Sequence, residues 1–96
     1  MAYYFSKDKQ KIILYIGGII MRECTIKLNE IEKIQEFVRL ASASICDIDV
    51  YSGKYVVDGK SLLGVLSLCG TTLKIVVNAD DMADVDSFMS NIEKFK

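Results

Sequence analysis

The stretch that decides the fold is Lys60-Ser61-Leu62-Leu63-Gly64-Val65-Leu66-Ser67-Leu68. Five of its nine residues are aliphatic and leave only a narrow polar edge, so the segment reads as a short apolar helix. Asp58-Gly59 closes whatever precedes it, and Gly70 reads as its C-terminal stop. Ser61 stands where a helix N-cap is expected, because its hydroxyl can accept from a backbone N–H of the first turn.

Upstream, Cys46, Ile48 and Val50 alternate against Asp47, Asp49 and Tyr51, and Ser52-Gly53 breaks the run before Tyr55 and Val57. Two short strands joined by a Ser-Gly turn predict a hairpin. Before it, Ile31, Ile34, Val38, Ala41 and Ile45 recur at three- and four-residue spacing, with Phe37 widening the stripe. The spacing predicts a first helix to about Ser44, with Asn29 as its N-cap and Glu30 and Glu32 in the first turn. Cys24, Ile26 and Leu28 alternate as a strand ahead of it.

Downstream, Leu73, Ile75 and Val77 alternate against Thr72, Lys74 and Val76. Val85, Phe88, Met89, Ile92 and Phe95 then follow at helical spacing behind an Asp80-Asp81 cap. The expected order is β-α-β-β-α-β-α, in the α+β class. Four antiparallel strands would form a sheet covered on one face by helices, as an open-faced β-sandwich.

The 96 residues, half of them apolar, bound the chain to one modest core, and the formal charge of −1 has no clustered cations to meet nucleic-acid phosphates. Cys24, Cys46 and Cys69 are widely spaced, and with no histidine in the chain they form no zinc set. Each lies in an apolar-periodic segment, so each is expected to be a small buried hydrophobe in a reduced, cytoplasmic protein. No phosphate loop, catalytic triad or metal spacing is present, and Asp80, Asp81, Asp84 and Asp86 lack the EF-hand order. They are expected to cap and solvate the last helix. No cofactor is expected, and the chain is not expected to be an enzyme.

Residues 1–20 read differently. Lys7, Lys9 and Lys11 precede the apolar run Ile12 to Ile20, which is too short for a membrane span of about 20 residues and lacks a small-x-small cleavage site. Gly17-Gly18, two residues before Met21, is what a purine-rich ribosome-binding site would encode in frame. Translation is therefore expected to begin at Met21, leaving 1–20 as an extension and 21–96 as the domain. If translated, its β-branched and aromatic content favours an extra strand or a docked arm.

Lys60, Ser61, Gly64, Val65, Ser67 and Leu68 resemble the K-S-x-x-G-V-x-S-L run of HPr, the phosphocarrier of the bacterial sugar phosphotransferase system. Tyr51-Ser-Gly-Lys54 is similar to the family's hairpin turn, and Leu40-Ala41-Ser42 falls where its first helix ends. The resemblance runs from Glu23 to Lys96. It implies the HPr fold, and partners among proteins of the phosphotransferase or carbon-regulation network. In that family the loop before the first helix presents a phosphorylated histidine, followed by an arginine and a proline. Here the shorter Leu28-Asn-Glu-Ile-Glu-Lys33 stands in that place, so histidine phosphotransfer is not expected.

Two further expectations come with the resemblance. Ser61 matches a serine that an ATP-dependent kinase phosphorylates in many Gram-positive members, where added phosphate would face free N–H groups and the positive helix end, with Lys60 alongside. It equally suits simple capping. Leu62, Leu63 and Leu66 match positions that dock onto partner proteins, and would form an exposed patch or pack at the core's edge. A ferredoxin-like metabolite-sensing or dimerising module is the alternative, since it shares most of the element order.

Overall fold

In a computed structural model, the described residues are 2–5, 12–16 and 19–96, with side chains described from Ile19 onward. Lys7, Lys9, Lys11 and Gly17-Gly18 lie outside them. Six strands are present: β1 (Ala2–Phe5), β2 (Ile12–Ile16), β3 (Ile19–Lys27), β4 (Asp47–Ser52), β5 (Tyr55–Asp58) and β6 (Thr72–Ala79). The helices are α1 (Ile31–Ala43), α2 (Leu62–Leu66) and α3 (Met82–Asn91), followed by a single 3-10 turn, Glu93–Phe95. From β3 onward the order is the β-α-β-β-α-β-α read from the sequence.

The strands form one sheet in the order β1-β2-β3-β6-β4-β5, and every pairing is antiparallel. The four expected strands make up β3-β6-β4-β5, with the chain's last strand between the first and third of these. The β1-β2 pair extends the sheet along the free edge of β3, where Tyr15 and Ile16 pair with Ile20 and Ile19. Extended residues rich in isoleucine and tyrosine suit that position.

Period-two alternation settles which face is covered. Ile20, Arg22, Cys24 and Ile26 on β3 and Leu73, Ile75 and Val77 on β6 are buried beneath the helices, together with Ile48 and Val50 on β4. From above, α1 contributes Ile34, Phe37, Val38 and Ala41, and α3 contributes Val85, Phe88 and Met89. Phe37 meets Phe88 and Phe95 edge-on, each at a centroid distance of 6.2 Å. Glu36 on α1 accepts a hydrogen bond from Lys94, which with the neighbouring Arg39 holds its carboxyl below the usual carboxylate range against the opposing effect of desolvation.

Several expectations need correction. The α1 N-cap is Glu30, not Asn29: Glu30 has extended backbone, φ −130° and ψ 140°, and its side chain caps nothing. Ile31 is exposed because it opens the helix, beyond the reach of the sheet, and Ile45 is exposed because α1 has already ended at Ala43 and helical spacing no longer applies. Cys24 and Cys46 are buried as expected, but Cys69 is exposed, since it follows α2 in the turn that returns to β6. Asp81 does cap α3, accepting from Ala83 N–H at 2.9 Å. Asp86 does more than meet solvent: it pairs with the Nη1 of Arg22 at 2.7 Å.

Candidate functional site

The site is built around α2. A five-residue helix is too short to be stable alone, so its ends and its underside must be fixed by the rest of the fold. At the start, Ser61 is the N-cap, with extended backbone and an Oγ that accepts from Gly64 N–H at 3.2 Å. Its own N–H donates to Asp58 O at 3.0 Å, while Lys60 N–H donates to Asp58 Oδ1 at 2.9 Å. The sharp exit from β5 is thereby held by one aspartate, in the Asx manner.

Beneath the helix, two glycines permit close approach. A Cβ on Gly59 would stand 2.5 Å from Ile48 Cγ2, and one on Gly64 would stand 3.1 Å from Val57 Cβ. The first seats the turn before α2 on β4, and the second seats α2 on β5. Val65 is fully buried and Leu68 nearly so, whereas Ser67 Oγ donates to Gly64 O at 2.6 Å. At the far end Thr71 Oγ1 donates to Leu68 O and lies 3.0 Å from Ser52 Oγ on the β4-β5 hairpin. Gly70, at φ 88°, takes a left-handed conformation that favours glycine, and its N–H donates to Leu28 O at 3.1 Å. That last bond ties α2 to the segment leading into α1.

The remaining side chains look outward. Leu63 is 79% exposed and Leu62 40%, while Leu66 is half-buried against the core. Lys60 is half-buried and Ser61 exposed. The structure thus brings Lys60, Ser61, Leu62 and Leu63 together as accessible groups and turns Leu66 partly inward. Sequence reasoning missed the exposed Ile31, which opens the helix that packs against α2. Its place at the first helical position, outside the span that a sheet can cover, was the available signal.

Between β3 and α1, Leu28 is fully buried and Asn29, Glu30, Ile31, Glu32 and Lys33 are exposed. Glu30 lies 3.7 Å from Lys33, a surface pair of little energetic weight. Among the described residues no group of three or more histidine, cysteine, aspartate or glutamate side chains could hold a metal ion, and no helix is long and apolar enough to cross a membrane.

No protein-family model matches this chain. No curated protein sequence matches it either. Solved structures do. HPr-C-His from Thermoanaerobacter tengcongensis superimposes with a TM-score of 0.59 at 25% identity, over 75% of this chain and 90% of that one. The phosphocarrier protein HPr from Bacillus anthracis strain Ames gives a TM-score of 0.57 at 19% identity, over 76% of this chain and 95% of that one.

The fold is HPr-like. The residues of the HPr-like run now have structural roles: Ser61 caps, Gly64 allows close approach, Val65 and Leu68 enter the core, and Ser67 satisfies a carbonyl. The two leucines between Ser61 and Gly64 are left without such a role.

Proposed function

We propose that this chain is an HPr-like interaction module of a phosphotransferase or carbon-regulation network that carries no phosphate on histidine. It docks proteins through Lys60, Leu62, Leu63 and the outer edge of Leu66, and Ser61 is its regulatory phosphorylation site. The observation that carries the reading is Leu63, a large aliphatic side chain held 79% exposed on a helix whose other contacts are fixed. A rigid apolar projection beside a second exposed leucine suits an interface anchor.

The chemistry supports binding over transfer. No histidine occurs in the sequence, and a capping-position carboxylate such as Glu30 is no substitute for a neutral nitrogen nucleophile. Phosphate on Ser61 Oγ would sit by the Gly64 N–H that the hydroxyl already engages, close to Lys60. The HPr-like topology, with β6 inside the sheet, supports this reading over a module of ferredoxin-like fold.

Incubation with an HPr kinase and ATP, read by phosphopeptide mass spectrometry, is expected to place one phosphate on Ser61 and none on Ser61→Ala. Absence of phosphate at Ser61 removes the regulatory branch. Calorimetric titration with the same kinase, without ATP, tests docking: Leu63→Asp is expected to weaken binding at least about tenfold, by loss of an anchor worth about 2 kcal/mol. Equal binding by a folded Leu63→Asp protein removes the patch.

A further inference from the structure

The helices cover only one face of the sheet, and acidic side chains gather at one end of the other. Cross-strand register sets Glu23, Val76, Asp49 and Asp58 in one row, and Met21, Asn78 and Asp47 in the next. Asp80 follows where β6 ends. Beyond the first row, away from this end, stand Lys74 and then Lys27, with the Lys74 ammonium 5.3 Å from the centre of the Tyr51 ring.

The ion pairs among the described residues all lie in or against the helices. Within the same residues, the carboxylates of Glu23, Asp47, Asp49 and Asp80 have no ion-pair or hydrogen-bond partner. Two concavities, of about 320 and 420 Å3, are sunk into this end of the face and share Asp47 and Asn78. Ile19, Met21 and Ala79 give the smaller one apolar walls, and Asp80 also lines it. Asp49 and Asp58 line the larger one, where Lys60 is the one cation set against three carboxylates. The buried Asn78 Oδ1 has no hydrogen-bond donor among the described residues.

We infer that the acidic end of the open face docks a basic segment of another protein, whose lysine or arginine side chains occupy the two concavities. The argument is complementarity of charge and of shape. A lysine or arginine is an apolar stem with a cationic head, and such a side chain lays its stem on apolar surface while its head stays among polar groups. In the smaller concavity the stem meets Ile19, Met21 and Ala79, and the head meets Asp47 and Asp80. A second cation in the larger one meets the carboxylates that Lys60 alone does not balance. The N–H groups of these heads are also the donors that Asn78 Oδ1 lacks.

Other occupants fit less well. Nucleic acid or an acidic protein would meet like charge, and a neutral apolar partner would desolvate carboxylates without answering them. Among the described residues no three carboxylates converge to hold a metal ion. The surface lies across the sheet from Leu63, so this contact does not depend on docking through α2.

Titration of the isotope-labelled full chain with acetyl-tetralysine amide, followed through backbone amide chemical shifts, tests the inference. The peptide is expected to move the resonances of Asp47, Asp49, Val76 and Asn78, with an affinity that falls as salt is raised. Tetraglutamate at the same concentration is expected to move none of them. Asp47→Asn and Asp49→Asn are each expected to weaken tetralysine binding about threefold, and together about tenfold. Shift dispersion shows whether each variant is folded, and where one is not, the other carries the test. No shifts at millimolar tetralysine, or shifts confined to the helical side, overturn the inference. So does undiminished binding by the folded variants.

Discussion

Arg22 shows how one residue can bind two layers of the molecule. It lies on the covered face of β3, only 9% exposed, with Nη1 on Asp86 of α3 and Nη2 3.9 Å from Met82 Sδ. An arginine at that depth is tolerable only while a carboxylate answers it, because desolvating an unanswered charge is costly. Asp86→Asn is therefore expected to lower unfolding free energy by about 1–3 kcal/mol. Arg22→Met, which keeps the stem and removes the charge, is expected to be nearly neutral. Urea denaturation of the two variants checks the contrast, and an equal loss in both would mean that the ion pair is stabilising in itself, against the argument from desolvation. The pair was not legible in the sequence: alternation placed position 22 among buried neighbours, but nothing local connects it with a residue 64 positions later.

At the scale of elements, period and punctuation carried most of the reading. The β4-β5 hairpin, α2, β6 and α3 were all legible because each has one apolar side and a recognisable stop. The errors fell at ends. Asn29, Ile31, Ile45 and Cys69 sit within two or three residues of a helix terminus, where spacing persists in the sequence after the structure has turned away. Of the α2 site, the cap and the buried Val65 could be read in advance, whereas the inward lean of Leu66 depends on how the helix is seated over Val57 and Ile48. Ser61 tests how far this short helix relies on its cap. Ser61→Ala removes the acceptor for Gly64 N–H and is expected to cost about 1 kcal/mol, while Ser61→Asp, which can still cap, is expected to remain close to the original in thermal unfolding. A loss shared equally by both would show that a carboxylate does not replace the hydroxyl as the cap, and no loss in Ser61→Ala would show that the cap contributes nothing.

For the whole molecule, the open question raised by the sequence is the standing of residues 1–20. We propose that 21–96 is the folding unit, with the β1-β2 pair as an addition along its edge. The strand β3 begins at Ile19, and Ile20 is buried in the core beside Ala79. A chain that starts at Met21 is expected to keep its helical circular dichroism but to lose about 2 kcal/mol with the Ile20 side chain. It would also expose the hydrogen-bonding edge of β3, which favours association through strands. Retention of the fold with a lower unfolding midpoint fits this account, and a chain that fails to fold refutes it. The β-branched and aromatic content of the segment favours a strand or an arm. Which edge received it depended on β6 occupying the other side of β3, a long-range fact that local pattern does not carry.

The bond from Gly70 N–H to Leu28 O has a consequence for how the molecule opens. It joins the exit of α2 to the last turn before α1, across 42 positions of chain. Any fluctuation that lifts α2 from the sheet must break this bond and release the approach to α1 at the same time. In native-state hydrogen exchange the Gly70 amide should therefore exchange together with the Ile34 amide, which donates to Glu30 O at the start of α1, as one cooperative unit.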